Sequence, residues 1–159
     1  MIRIPLANGK GIALIDDDDG GRIPLTGWHR HNGGYAQHRA CRADGQHTHV
    51  LLHRLVVNAQ PGDEVDHINH DRLDCRRANL RFVTRSQNNQ NWPGPQSTNR
   101  LGVRGVSAYA TTAGTRYRAG VQVGGKRVAR WGLCSIEEAD LVAKELRRTH
   151  CTHSPENRE

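Results

Sequence analysis

Between residues 64 and 91 the chain reads EVDHINHDRLDCRRANLRFVTRSQNNQN, and this stretch concentrates the side chains that bind metals or move protons. Asp66, His67, His70, Asp71, Asp74, Asn79 and Asn88 all fall inside it, around one short apolar run, Leu80 to Val83. Such a composition suits a site rather than a core. Hydrolysis of a phosphodiester needs a base that activates water, a cation on the phosphate oxygens, and a geometry that keeps them in line. Asp66 and Asn88 are hard oxygen donors of the kind magnesium accepts, because that ion takes few protein ligands and keeps waters and phosphate oxygens. His67 follows Asp66 on a strand end, so its ring points to the opposite side. Its ordinary pKa near neutrality fits a base. Asn79 can hydrogen-bond the backbone of the intervening loop, or a carbonyl near His67, and so fix the orientation of the imidazole. His70, Asp71 and Asp74 are expected to be loop structure. A polar, turn-rich loop without chemistry is the competing reading, and the combined spacing weighs against it.

The elements that must position these groups can be read from periodicity. Glu64 to His67 reads as a short strand, residues 68–79 as a polar loop, and Leu80 to Thr84 as a second strand. Ser86 is the expected N-cap of a helix over Gln87 to Asn91. That order, strand, loop, strand, helix, lets a folded helix lay Asn88 beside Asp66. Upstream, MIRIPLANGKGIALI reads as a hairpin turning at Asn8-Gly9. The acidic run Asp16 to Asp19 reads as a solvated loop. Trp28, Tyr35 and the stretches up to Leu52 complete a β-rich unit, and VLLHRLVVNA at 50–59 carries the apolar face of a short helix ended by Pro61-Gly62. His53 on that element is expected to be a packed support residue.

Trp92-Pro93-Gly94-Pro95-Gln96-Ser97-Thr98 marks a linker. Beyond it lie strand-like runs at Gly102 to Ser107, Tyr117 to Val123 and Lys126 to Leu133, with Gly124-Gly125 as a hairpin turn. Ser135 and Glu138 form the start signal of a helix from Ile136 to His150. Ala139, Val142, Ala143 and Leu146 share the face that would cover the sheet. Arg104, Arg118, Arg127, and with them Arg116 and Arg130, are expected on the sheet's outer face. The tail at 151–159 reads as a frayed polar terminus.

Composition sets limits on these readings. A chain of 159 residues with 35% hydrophobic and 4% aromatic content favours small units with modest cores. The net charge of +7 is uneven: residues 1–92 carry 12 basic and 10 acidic groups, and residues 93–159 carry 11 and 6. A basic C-terminal part points to a polyanion, most often nucleic acid. The four cysteines form no CxxC pair and match no zinc module. No apolar run approaches the roughly 18 residues of a membrane span, and no signal peptide is visible, so a cytoplasmic protein with reduced thiols is expected.

The spacing Asp-His, then Asn-Leu, then Asn resembles the HNH homing and phage endonucleases with a ββα-metal fold. HRLV at 53–56, PGDEVDHIN at 61–69, RRANLR at 76–81 and TRSQNNQN at 84–91 carry the resemblance, with the IPL…ALIDD opening. It implies that His67 is the general base, that Asp66 and Asn88 hold a divalent metal, magnesium or manganese, and that Asn79 is structural. The chain carries His70 where such sequences usually have Gly, and Cys75 where they usually have Asn. Residues 99–150, through GVRGVS, YRAGVQV, GKRVARWG and SIEEADLVAKELRRTH, resemble the plant ethylene-response-factor (Apetala) DNA-binding domain, which also occurs attached to phage HNH nucleases. That likeness implies a three-stranded sheet in the major groove, with Arg104, Arg116, Arg118, Arg127 and Arg130 on DNA. AYATTAGT lacks the Trp that the family carries there, so phosphate contact is the expectation. The fold class expected is therefore α+β: a nuclease domain at 1–92, a linker at 93–98, a DNA-binding domain at 99–150 and a tail. The activity expected is metal-dependent cleavage of double-stranded DNA, by a monomer or dimer, in a bacterial cell hosting a phage or mobile element. The competing function is a DNA-binding regulator with an idle nuclease centre.

Overall fold

The computed structural model describes residues 1–41 and 45–157. The chain divides into two compact units, Met1–Val83 and Thr84–Glu159. The division falls inside the stretch that sequence assigns to the nuclease domain. The fold is mixed, with four small sheets and three α-helices among the described residues, which is compatible with the α+β class.

In the first unit, β1 (Ile2–Pro5) and β2 (Ile12–Ile15) form the expected antiparallel hairpin. Their alternation buries Ile4, Ala13 and Ile15 completely. The acidic run that follows is not a solvated loop throughout. It folds into a 3-10 turn, Asp17–Asp19, and Asp19 is buried between two arginines, Arg22 and Arg77. Burial works to raise the Asp19 pKa, but the hydrogen bonds and charges of Arg77 and Arg22 outweigh it and hold the carboxyl below its usual range. Arg22 also donates to the carbonyl oxygens of Leu55 (2.9 Å) and Val56 (2.6 Å), capping the following helix.

Strands β3 (Trp28–Arg30), β4 (Ala36–Cys41) and β5 (His47–Leu51) make an antiparallel sheet in that order. Helix α1 is only Leu52–Val56, shorter than the apolar stretch suggested, because β5 takes Val50 and Leu51. Asn58, at φ +54, turns the chain away before Pro61 is reached. Strands β6 (Glu64–His67) and β7 (Leu80–Val83) then pair antiparallel, with Asp66 opposite Arg81 and His67 opposite Leu80. One core serves all of this. Trp28, Leu52, Val56, Cys75 and Leu80 pack with the hairpin residues.

The second unit begins with α2 (Arg85–Asn91). Its N-cap is Thr84 rather than Ser86, and Gln87 reciprocates in a full capping box. Strands β8 (Val106–Thr111), β9 (Gly114–Val123) and β10 (Lys126–Leu133) form an antiparallel sheet in which β9 is central. The first strand starts later than expected because Gly102 and Gly105 both have positive φ. At Gly105 a Cβ would meet the Gly120 carbonyl at 2.8 Å, so the close approach of these two backbones requires glycine. Gly124-Gly125 makes the expected turn, with φ +57 and +77.

Helix α3 (Ile136–His150) starts on Ser135, whose hydroxyl accepts from the Glu138 backbone. The Glu138 carboxylate reaches past the cap to the Cys134 N–H at 2.7 Å. Ala139, Ala143 and Leu146 bury against Val106, Ala119 and Leu133. The tail is not frayed. Cys151 and Ser154 are buried, and Arg147 holds Glu156 at 2.5 Å while donating to the Arg104 carbonyl at 2.9 Å. Residues 158–159 of the expected tail lie outside the described residues. No helix among the described residues is long and apolar enough to cross a membrane.

Candidate active site

Asp66 and His67 close β6 side by side in sequence and are both buried, at 7% and 4% exposure. The loop that follows contains little apolar surface, so its backbone must be satisfied by side chains. Asn79 satisfies two of these groups with its amide. Its Oδ1 accepts from the Asn69 N–H at 3.0 Å, and its Nδ2 donates to the Asp74 carbonyl at 2.7 Å. Its own carbonyl takes the Ile68 N–H at 2.9 Å. Asp74, also buried, accepts from Asn69 Nδ2 (3.0 Å) and from Arg76 through both nitrogens (2.7 Å each). The Arg76 hydrogen bond is the main reason its pKa lies below the usual carboxylate range. Asp71 accepts from the Leu73 N–H at 3.0 Å. The loop is also stitched to β2: Leu14 N–H donates to the Leu73 carbonyl (2.8 Å), and Cys75 N–H to the Leu14 carbonyl (2.9 Å).

His70 occupies a left-handed conformation at φ +66. That explains why a glycine is the expected residue there: a side chain at such a φ costs about 1–2 kcal/mol. Cys75 is fully buried in the core, and burial pushes its thiol up to about 12, so it is an inert packing residue.

Around His67 stand rings that sequence reasoning passed over or left as support. The His53 ring centroid lies 4.9 Å from that of His67 and 4.9 Å from that of Tyr35. Tyr35 lies 5.8 Å from His67. Nothing in the order of these residues signals the cluster, because the residue before β4, α1 and β6 bring it together from distant positions. Burial pulls the His67 imidazole below its ordinary pKa, against the nearby carboxylates of Asp66, Asp71 and Asp74. The ring is therefore neutral near pH 7, the state a proton acceptor needs. His53 is more extreme. Burial, helped by His67 and Arg54, pushes it down to about 3, and its Nδ1 is a buried atom without a hydrogen-bond partner.

The Asp66 carboxylate is engaged by its cross-strand neighbour: Arg81 donates to Oδ2 through Nε (2.9 Å) and Nη2 (2.8 Å). The strand register gives this pair, once the β6–β7 hairpin is recognised. Asn88 is half-buried on α2, in the second unit. No three His, Cys, Asp or Glu side chains among the described residues gather as a metal site. A carboxylate with amide oxygens is instead a donor set suited to magnesium, which asks for few protein ligands.

Residues 50–90 match the family model of the HNH endonuclease. The match spans the end of β5, α1, the β6–loop–β7 hairpin and nearly all of α2, and supports a nuclease of the HNH type, a ββα-metal unit, and a nucleic acid substrate for this stretch. No curated protein and no solved structure matches the chain significantly.

The arginines proposed from sequence divide in the second unit. On β9, Ala119 and Val121 face α3, so Arg116 and Arg118 face outward, beside Arg127 on β10 opposite Gln122. Arg118 lies over the exposed Trp131 ring at 4.6 Å and donates to Ser107 Oγ at 3.1 Å. Arg130 pairs with the buried Ala119, which puts it at the rim of the helix-covered face. Arg104 is not on the outer face. Its Nη2 donates to the Gln90 carbonyl at 2.8 Å, at the C-terminal end of α2.

The burial of His53 has a measurable consequence. Its folded pKa of about 3 lies below the unfolded value of 6.5, so the unfolded state binds more protons between these pH values. Stability is then lost as pH falls through that window, at about 1.4 kcal/mol per pH unit. Urea unfolding at pH 6.5 and pH 5 should show the wild type losing ~2 kcal/mol relative to His53→Phe; an identical loss in both proteins would refute the buried neutral His53.

Proposed function

We propose that the chain is a metal-dependent DNA endonuclease of the HNH type, and that its second unit grips duplex DNA. The observation that carries this reading is the family match over a stretch that holds Asp66, His67, Asn79 and Asn88 in one motif. In this reading His67 accepts a proton from the attacking water. Its neutral state and its fixed place at the end of β6 suit that role. Asp66 and Asn88 hold the divalent cation, magnesium or manganese. When bound, that ion supplies positive charge to the phosphate oxygens. Arg81, which donates twice to Asp66 Oδ2, keeps that carboxylate oriented. Asn79 is a positioning residue: it closes the loop whose first residue follows His67.

The outer face of the β8–β9–β10 sheet is the proposed DNA grip, through Arg116, Arg118 and Arg127, in the manner of the ethylene-response-factor domain that residues 99–150 resemble. Arg130 sits at its margin. Arg104 braces the end of α2 in this proposal and is not counted among the groups that meet phosphate. The boundaries 1–92 and 99–150 remain the proposed functional domains. Phage or mobile-element origin in a bacterial cytoplasm fits the combination.

Two measurements test these roles. His67→Ala should lower nicking of supercoiled plasmid with magnesium by ~10²–10⁴-fold, with DNA binding in EDTA unchanged. Wild-type nicking by the variant would sink the role of His67, and a wild type that binds DNA but never cuts would favour the regulator reading. Replacing Arg116, Arg118 and Arg127 together with Ala should reduce the slope of log affinity against log salt by up to ~2.7, about 0.9 for each phosphate no longer neutralised. An unchanged slope would remove the sheet face from the DNA interface.

A further inference from the structure

The carboxylates of the first unit draw most nearby arginines to themselves. Asp66 holds Arg81, Asp74 holds Arg76, and Asp19 holds both Arg22 and Arg77. Arg54 spends its donors on the carbonyl oxygens of Gln60 and Asp63, both at 2.7 Å, and braces the turn after α1. Arg72 is held differently. It is exposed in the loop between β6 and β7, and its guanidinium carbon lies 4.9 Å from the centroid of the Tyr35 ring. Its Nη1 donates to the Gly33 carbonyl. Both partners are uncharged, and no carboxylate among the described residues forms an ion pair with it.

The turn at Gly33-Gly34 lies against this side chain. Gly34 has φ +85, and a Cβ there would already touch Arg72 Cδ at 3.4 Å. The ring beneath Arg72 belongs to the cluster around His67: Tyr35 is 5.8 Å from that imidazole and 4.9 Å from His53. A cation is thus fixed in place by a π-face and a carbonyl, one ring away from His67, without being neutralised. A guanidinium has five N–H donors, and among the described residues only one of them is used internally here. Such a group is preorganised for an external anion with two acceptor oxygens.

We propose that Arg72 binds the phosphate group presented to His67, gripping its non-bridging oxygens, and that Tyr35 positions it. This rests on the phosphodiester-hydrolase reading of the site. The arginine brings positive charge to the phosphate that His67 faces in this proposal. Lysine is a poor substitute, because an ammonium has neither the planar fork nor the flat face that stacks on a ring.

The test uses the full chain as wild type, Arg72→Ala, Arg72→Lys, Tyr35→Phe and Tyr35→Leu, with two readouts. The first is affinity for a fluorescent duplex in EDTA across a salt series. The second is the single-turnover cleavage rate with magnesium at saturating duplex. Arg72→Ala should reduce the salt slope by about 0.9 and slow cleavage by ~10²-fold, with part of the rate restored by millimolar guanidinium. Arg72→Lys should keep the slope and lose most of the rate. Tyr35→Phe, which keeps the ring face, should behave as wild type, while Tyr35→Leu should move towards Arg72→Ala. Unchanged slope and rate in Arg72→Ala overturn the proposal. So does a reduced slope with a wild-type rate, which would place Arg72 on a phosphate away from the reacting one. A rate loss without slope change supports the proposal only with guanidinium rescue, and overturns it without. If the wild type binds DNA but cuts nothing, the hydrolase reading fails and the slope alone decides whether Arg72 grips phosphate. Absence of any DNA binding by the wild type overturns both.

Discussion

The amide of Asn79 closes the polar loop between β6 and β7, and the rest of the site depends on that closure. One side chain at the end of the loop ties its start to its middle, accepting from the Asn69 N–H and donating to the Asp74 carbonyl. Each such bond adds only about 1 kcal/mol net, but a buried group left without a partner costs about 1–3 kcal/mol. A loop with little apolar surface to bury depends on such polar ties to hold one shape. Once it is closed, His67 at its entrance, His70 at its left-handed turn and Arg72 near its apex are all fixed relative to β2, to which Leu73 and Cys75 are hydrogen-bonded.

Electrostatics then sorts the charged groups. Carboxylates that the fold buries, at Asp19, Asp66 and Asp74, each take an arginine. A lone buried charge would be costly, and a paired one becomes a structural clamp. Burial acts on the imidazoles in the opposite sense. It keeps His53 and His67 neutral. Arg72 stands out because a ring face and a single carbonyl hold it, which is why the proposed phosphate contact falls to it.

Much of the layout of the candidate site was legible in sequence because it lies in one contiguous stretch. Asp66-His67 at the end of a strand, Leu80 to Val83 as its partner and Asn79 bonded to loop backbone follow from local pattern. The Gly124-Gly125 turn and the Ser135 cap were equally local. What escaped depends on long-range pairing. Asp19 looked like one of four solvated acids until Arg77, from the far side of the first unit, reached it. Arg104 read as a strand arginine because GVRGVS alternates; two glycines with positive φ turn that segment inward and spend the guanidinium on α2. The tail looked polar, yet Cys151 and Ser154 are drawn under the end of α3 by the Arg147–Glu156 pair. Tyr35 carried no signal, since its neighbours His53 and His67 come from other elements.

The role of the Asn79 closure is best tested by pairing hydrogen exchange with cleavage in Asn79→Asp, which keeps an acceptor for the Asn69 N–H but removes the donor to the Asp74 carbonyl. The expected result is faster exchange at the Ile68 and Asn69 amides, unchanged protection in β1 and β2, and plasmid nicking reduced by ~10²-fold or more. Loss of protection in the loop with nicking at the wild-type rate would contradict the dependence of His67 on that closure.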